Sequence, residues 1–509
     1  MAAVTLATCL LGLMLILLVC VGLLFAVFVF YVYYQHCKYA HIPTAPRKGL
    51  KGFLFGHASL MIEYQRKSLS FSDAVVDMMR QCGPVFTVFF FFTPVIFVLD
   101  PDFVKELLCT DTHPKPYAAY KIFMKILGNR FLGNGLVSDV NPATHAQKRA
   151  LFSPAFHRRY LQGLMGQFNT GADLLIEKLS PKADGKTEVV MLDELNGTTL
   201  DIIAKVAFGM DLNVTLDDNS PFKKAVSKCF QGADVERTFP LTRFSPFPAS
   251  RKIRKEVRDS LHFLRETGRQ CIEERLRAIE KQEDVPNDIL THILKEVDCF
   301  KGEQAIDEEG LIDEFVTFFI AGQETTANLL SFTLVELGHH PEVMHRLKTE
   351  IDAVYGDKEF LEYADIGKFT YMIQVFKESL RLWPPVAGTS RQLACDVTVK
   401  GYKLPKGSLV FPNTYAMARM EEFFHDPLQF DPDRFKASDD KPQYAYFPFS
   451  LGSRNCIGQQ FALIEARVLL AKLLHKFNFK LVPGQGYGIL DEITLKPKGR
   501  CRNYLTLRE

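Results

Sequence analysis

Up to Lys38 the chain carries no Asp, Glu, Lys or Arg, and from Val4 to Tyr34 it is almost wholly apolar. That run exceeds the roughly 20 residues that cross a bilayer. Soluble helices rarely go uncharged for so long, which argues against a buried core helix. A cleaved signal peptide is excluded too: it starts with basic residues and has a shorter apolar region, whereas here Lys38, Arg47, Lys48 and Lys51 follow the span. Cysteine is scattered, an odd count of 11 with no Cys-x-x-Cys, which excludes a disulfide framework or zinc site and implies a reducing compartment. The net charge of +2 leaves no basic excess for bulk nucleic-acid binding, so no nucleic-acid partner is expected. No Gly-x-Gly-x-x-Gly dinucleotide fingerprint occurs, and tryptophan is confined to Trp383. After the first fifty or so residues no low-complexity linker or repeat divides the 509-residue chain, so one large unit is expected.

What is present gives an order. Residues 1–37 read as a single N-terminal transmembrane helix and 38–52 as a basic hinge stiffened by Pro43 and Pro46, with one globular unit from 53 to 509. The positive charges after the span place the globular unit in the cytosol, with Tyr31, Tyr33 and Tyr34 at the interface. Val85 to Leu99, rich in β-branched and aromatic residues and broken at Thr93-Pro94, reads as a hairpin. Most of the remainder alternates apolar and charged residues with helical period, so the expected class is mainly α with small β-sheets. The charge-rich runs 251–258 and 265–281 read as solvated helix faces. The sequons at Asn196 and Asn213 need not be used, because a cytosolic domain never meets the glycosylation machinery.

Near the C-terminus stands Phe449-Ser450-Leu451-Gly452-Ser453-Arg454-Asn455-Cys456-Ile457-Gly458. Ile457, Phe461, Ile464 and Val468 recur at helical spacing behind it, which puts the Cys456 sulfur at a helix N-terminus. The helix dipole and Arg454 then favour the thiolate. Gly452 and Gly458 leave room for something flat and bulky to approach the backbone. A cysteine among apolar residues is ordinarily a small buried hydrophobe, but the full pattern in register argues otherwise. A second carrier of chemistry runs from Phe315 to Asn328, where an apolar helix is interrupted by Ala321-Gly322 and then by Glu324-Thr325-Thr326. Polar residues in a helix fit for burial are a local inconsistency that function explains, and Gly322 would let the helix open. A bend made by threonine bonding to backbone would account for one hydroxyl only.

Together these stretches resemble the cytochrome P450 superfamily of haem-thiolate monooxygenases. The resemblance implies a fold with the haem between the oxygen-binding helix and the cysteine-loop helix. It also implies haem b as cofactor, with Cys456 as axial iron ligand and Phe449, Gly452 and Gly458 around it. Thr325 and Glu324 would steady dioxygen and relay protons. Arg149, Arg391 and Arg454 would bind the haem propionates. Where the family has Trp-x-x-x-Arg, this chain has His145 four residues before Arg149; an imidazole can still donate to a propionate, or be a satisfied structural residue. Glu378, Arg381 and Arg434 match a family ionic network behind the haem, structural rather than catalytic. With no fused flavin region, electrons would come from NADPH through a membrane-bound cytochrome P450 reductase, and the expected location is the endoplasmic reticulum membrane.

Within the superfamily, stretches such as Gly128 to Ser138, Asp288 to Thr291 and Leu481 to Gln485 resemble the animal cholesterol 24-hydroxylases. Sterol side-chain hydroxylation is the function this implies. Those enzymes carry Ala-Trp where this chain has Val386-Ala387, so one bulky cavity wall becomes a methyl group and the pocket widens. Tyr120, Phe131, Val137, Ala321, Ile493 and Thr494 would line the pocket by the same resemblance. A long-chain fatty acid is the competing substrate. A haem-thiolate isomerase of lipid peroxides and a non-enzymatic haem binder or gas sensor are the competing classes, and Glu324-Thr325 argues against both.

Overall fold

The computed structural model describes residues 2–47, 49–296, 307–436 and 444–508; Lys48 of the basic cluster lies outside them. Helix α1 (Ala2–Lys38) stands out from the rest, its apolar side chains exposed along most of its length. It touches the globular part where Phe28 and Tyr31 pack their rings on Phe92, with centroids 5.5 and 6.3 Å apart. The following segment lies on the first sheet: Ile42 and Ala45 are buried, and the Thr44 hydroxyl donates to the Thr87 carbonyl at 2.8 Å.

Strands β1 (Val85–Phe90) and β2 (Thr93–Val98) form the expected hairpin, but the break falls one step earlier than Thr93-Pro94. Phe91, at φ 55°, makes the turn with Phe92, and Pro94 pairs with Phe89 inside the ladder. Helix α2 (Pro142–Phe152) begins with proline at its first position and an Asn141 cap that accepts from Ala143 and Thr144 N–H. Next come strand β3 (Asp184–Val190), helix α3 (Met191–Phe208) and helix α4 (Pro248–Glu280). Helix α5 (Glu308–His339) is capped by Asp307, with Glu308 and Glu309 against its positive end. It is buried on nearly every face, so it carries no one-sided apolar stripe. Helix α6 (Thr370–Leu382), strands β4 (Arg391–Gln392) and β5 (Leu409–Phe411), helix α7 (Gln459–Lys476) and strands β6 (Phe477–Leu481), β7 (Ile489–Asp491), β8 (Leu495–Pro497) and β9 (Arg502–Leu507) complete the elements used below.

One sheet runs β1-β2-β5-β4, antiparallel except where β2 meets β5; another runs β6-β9-β3, and β7 and β8 form a separate hairpin. Helices dominate and pack on α5, which touches α3, α4, α6 and α7. The fold is therefore mainly α with small sheets, as the periodicity implied.

Helix α4 contains both charge-rich runs, yet it is not simply a solvated face. Arg275 is buried, with its guanidinium on Asp288 at 2.6 Å, and Arg265 reaches the buried Asp313 at 2.8 Å. Carboxylates distant in sequence turn those charges inward. Gly322, in turn, does not open α5. The helix is continuous there, and a Cβ at 322 would lie 2.9 Å from Ile203 Cγ1, so glycine is needed for the close approach of α3. The nearby Asn196 sequon sits in this contact, its side chain accepting from Gln323 Nε2 at 3.2 Å.

Candidate active site

The cysteine loop is fixed by backbone geometry. A tight turn over Gly452–Arg454 leads to Cys456, whose N–H donates to the Phe449 carbonyl at 2.9 Å, and α7 starts three residues after the cysteine. Phe449 is half-buried at the loop's start. Cys456 itself is exposed on one side. Burial raises its thiol above the ordinary value, with the Gly458 N–H and the Arg149 guanidinium opposing; Arg454, expected to favour the thiolate, turns to the Asp139 carbonyl instead. The two glycines differ in purpose. At Gly458 a Cβ would meet nothing nearer than Cys456 Sγ and Phe156 Cε1, both at 4.0 Å, so the space beside the sulfur is open. Gly452 is needed for another reason than room for a ligand. Its φ is +69°, and a Cβ there would sit 2.0 Å from the Leu108 carbonyl oxygen, so neighbouring backbone forbids a side chain.

Beside this loop the structure gathers cations. Arg149, on α2, clasps the residue before the cysteine, donating to the Asn455 carbonyl at 2.5 Å and to Asn455 Oδ1 at 2.7 Å. Arg454 donates to the Asp139 carbonyl at 2.7 Å, and the buried Arg391 donates to Thr389 Oγ1 and the Ser390 carbonyl at 3.0 Å. His145 is buried, and burial together with Arg454 and Lys115 lowers its pKa to about 3, leaving a neutral imidazole with one N–H to give. Lys115, which the sequence did not single out, joins them. Its Nζ donates to the Val137 carbonyl at 2.8 Å, and burial, then Arg391 and Arg454, pull it well below the ordinary lysine value. The only hint in the chain is its place between Pro114 and Pro116, a stiff segment able to hold a cation in place.

Asp111, His113, Lys115, Arg391 and Arg454 line one small cavity. Asp111 and Asp139 act on Arg454, Asp139 being already paired with Lys148 at 3.0 Å, and Glu106 lies 3.9 Å from His113 Nε2. Like charges held together without matching anions cost free energy, so the donor set fits a ligand that brings carboxylates of its own. Haem, with two propionates, is such a ligand.

On α5 the Thr325 hydroxyl donates to the Ala321 carbonyl at 2.8 Å. Glu324 is buried, which raises its pKa, and Lys496 on β8 opposes that shift from 2.5 Å at Oε1. Thr494 was expected as pocket wall; the structure puts its hydroxyl on Glu324 Oε2 at 2.6 Å, with Asn328 Nδ2 donating to it at 3.1 Å. Neither Lys496 nor Asn328 was legible, since nothing in the local sequence of β8 announces a partner on α5.

Of the other expected wall residues, Tyr120 lies under Lys115, whose Nζ is 4.5 Å from its ring centroid, and Val137 gives Lys115 its carbonyl. Tyr120 is buried with its hydroxyl 2.8 Å from Thr389 Oγ1, and Phe131, 1% exposed, belongs to the core. Val137, Ala321, Ala387 and Ile493 are half-buried, and the Ala387 carbonyl accepts from Thr414 N–H at 2.8 Å. Glu378, Arg381 and Arg434 do come together. Arg381 forks onto both Glu378 oxygens at 2.7 Å, Arg434 reaches Oε1 at 3.2 Å, and Arg381 also holds the Ala418, Pro427 and Gln429 carbonyls.

The family model for cytochrome P450 matches residues 46–500, nearly all of the globular part. The chain belongs to the cytochrome P450 family. It is similar to cytochrome P450 4d2 of Drosophila melanogaster, 32% identical over 81% of this chain and 84% of that one. Cytokinin hydroxylase of Arabidopsis thaliana is 30% identical over 82% and 80%, and human cytochrome P450 3A5 28% over 76% and 77%. A solved cytochrome P450DA haem domain shares the fold, with a TM-score of 0.81 at 24% identity over 92% of this chain and 97% of that one. This P450 is thus an oxidoreductase of the monooxygenase type, in a family whose iron is held by cysteine thiolate in a haem and which draws electrons from a redox partner. Helix α1 is long and apolar enough to cross a membrane.

Proposed function

We propose that this P450 holds haem b through the Cys456 thiolate and inserts one oxygen atom of O2 into a C–H bond of a lipophilic substrate, a sterol hydroxylated on its side chain. The observation that supports the haem site is the convergence of Lys115, Arg391 and Arg454 beside the Arg149-clasped cysteine, with little counter-charge of their own. Bound there, the haem supplies dioxygen activation. The chain's own residues do the rest. Arg149 sets the position of the sulfur by gripping Asn455, and neutral His145 would have an N–H to offer a propionate. Thr325 Oγ1 and Glu324 hold and hand on protons within an apolar helix that keeps out bulk water. The two electrons come from NADPH through a cytochrome P450 reductase at the endoplasmic reticulum membrane, where α1 anchors the cytosolic domain (53–509) through the 38–52 hinge.

The sterol assignment rests on the stretches similar to cholesterol 24-hydroxylases, such as Gly128 to Ser138. A fatty-acid hydroxylase is the second reading, favoured by the small, half-buried side chain at Ala387. Titration of the ferric protein with cholesterol, related sterols and a long-chain fatty acid separates the two by the substrate-induced absorption shift. Saturation by a sterol at low concentration is expected; response to the fatty acid alone overturns the sterol assignment. Conversion of a lipid peroxide without NADPH or reductase would instead identify an isomerase.

A further inference from the structure

The β7–β8 hairpin gives α5 more than a wall. Lys496 Nζ lies 2.5 Å from Glu324 Oε1 and 2.8 Å from Glu492 Oε2. Side-chain exposure falls along this row, from 39% at Glu492 through 15% at Lys496 to 4% at Glu324. One ammonium therefore bridges a carboxylate in contact with water and a carboxylate buried on the helix that carries Thr325. A lysine needed only to neutralise Glu324 would have no use for the second contact. Thr494 occupies the other Glu324 oxygen and is itself held by Asn328, which leaves Oε1 as the oxygen facing Lys496. The Phe230 ring, 5.2 Å from Nζ, covers the ammonium with apolar surface.

We propose that Glu492, Lys496 and Glu324 form the route by which protons enter the site from solvent, with Lys496 as the relay. The proposal rests on Glu324 being the group that delivers protons. Each transfer balances without any change of oxidation state. A Lys496 N–H bond breaks as the proton passes to Glu324 Oε1, leaving a neutral amine and a neutral carboxylic acid. Glu324 gives its proton onward and becomes a carboxylate again. The amine then takes a proton from a solvent hydronium ion at Glu492, leaving water, and the ion pair is restored. The electrostatics favour that resting state: burial pulls Lys496 down, but its two carboxylates carry it above the ordinary lysine value. The neutral pair is thus transient, and a proton enters only as one is consumed.

Arginine separates relay from placement, since a guanidinium keeps the charge and reaches both carboxylates but does not release a proton in proteins. The full-length protein, reconstituted in membranes with reductase, is compared as wild type, Lys496→Arg, Lys496→Met and Glu324→Gln. Two readouts are needed: product formed per NADPH consumed, and the infrared carboxyl stretch of Glu324, assigned by its loss in Glu324→Gln. Lys496→Arg is expected to keep Glu324 ionised in the infrared yet lower the product ratio by on the order of tenfold or more, with a larger solvent deuterium effect. Lys496→Met is expected to convert Glu324 to the neutral acid at neutral pH and to lose the ratio similarly. Glu492→Gln should lower it less, because water still reaches Lys496. An ionised Glu324 with a wild-type ratio in Lys496→Arg would overturn the relay and leave Lys496 as a positioning residue. An unaltered ratio in Glu324→Gln would overturn instead the role given to Glu324 itself.

Discussion

The cysteine loop and the Glu324 site face the same chemistry but are assembled in opposite ways. The backbone course around Cys456 is drawn by nearby residues, the turn at Gly452–Arg454, the Phe449 carbonyl and the start of α7, and Arg149 then grips it from α2. Glu324 owes its geometry to Thr494 and Lys496, well over a hundred residues further along the chain. A loop set by local backbone rules writes its own signature into consecutive residues. A buried carboxylate can take its cation from any element that folds against it, and no spacing in the sequence records which one does.

The largest effect that sharpens this contrast is expected behind the cysteine loop. Glu378→Ala strands Arg381, itself 1% exposed, and should cost about 3–5 kcal/mol of stability and release haem on purification. Chemical unfolding and the haem-to-protein ratio check it, and a well-folded, haem-replete variant would break the expectation. Next in size is Gly452→Ala. A left-handed backbone bearing a Cβ costs on the order of 1–3 kcal/mol, and the clash with the Leu108 carbonyl adds to it, so haem occupancy should fall although no residue touching the ligand has changed. Lys115→Gln should leave folding intact and speed haem loss to an acceptor protein several-fold, since one charged donor is removed from the cluster. Equal rates would remove Lys115 from the cofactor site.

The smallest effect on haem belongs to α5. Glu314 is buried and accepts from Leu136 N–H, and burial raises its pKa to about 8, with Lys148 opposing and Asp313 and Asp139 adding to the shift. A carboxyl whose folded value lies above its unfolded value binds its proton better in the native state. Its contribution is therefore present at acid pH and is lost as pH rises from about 4.5 towards 8. Glu314→Gln should flatten that decline in urea unfolding midpoints without releasing haem. An unchanged slope would contradict the assignment.

How much was legible follows the same division. The helical class, the apolar first helix, the hairpin near Val85 and the cysteine loop came from period, composition and consecutive motif. The spacing of Glu378 and Arg381 by itself read as an ordinary surface pair, and only the family resemblance made of them, with Arg434, the buried network that is found. Lys115 and Lys496 were missed because each is an ordinary surface-type residue whose meaning comes from tertiary neighbours. The same cause misled the expectation for α4, where Arg265 and Arg275 found buried carboxylates, and for Gly322, which serves the packing of Ile203.

The most direct test of the account is the absorption spectrum of the reduced, carbon monoxide-bound protein, wild type against Cys456→Ala. The wild type should show the band diagnostic of thiolate ligation, and the variant should lack it while the Arg149, Arg391 and Arg454 cluster remains in place. A thiolate band that survives in Cys456→Ala would contradict the site described here at its centre.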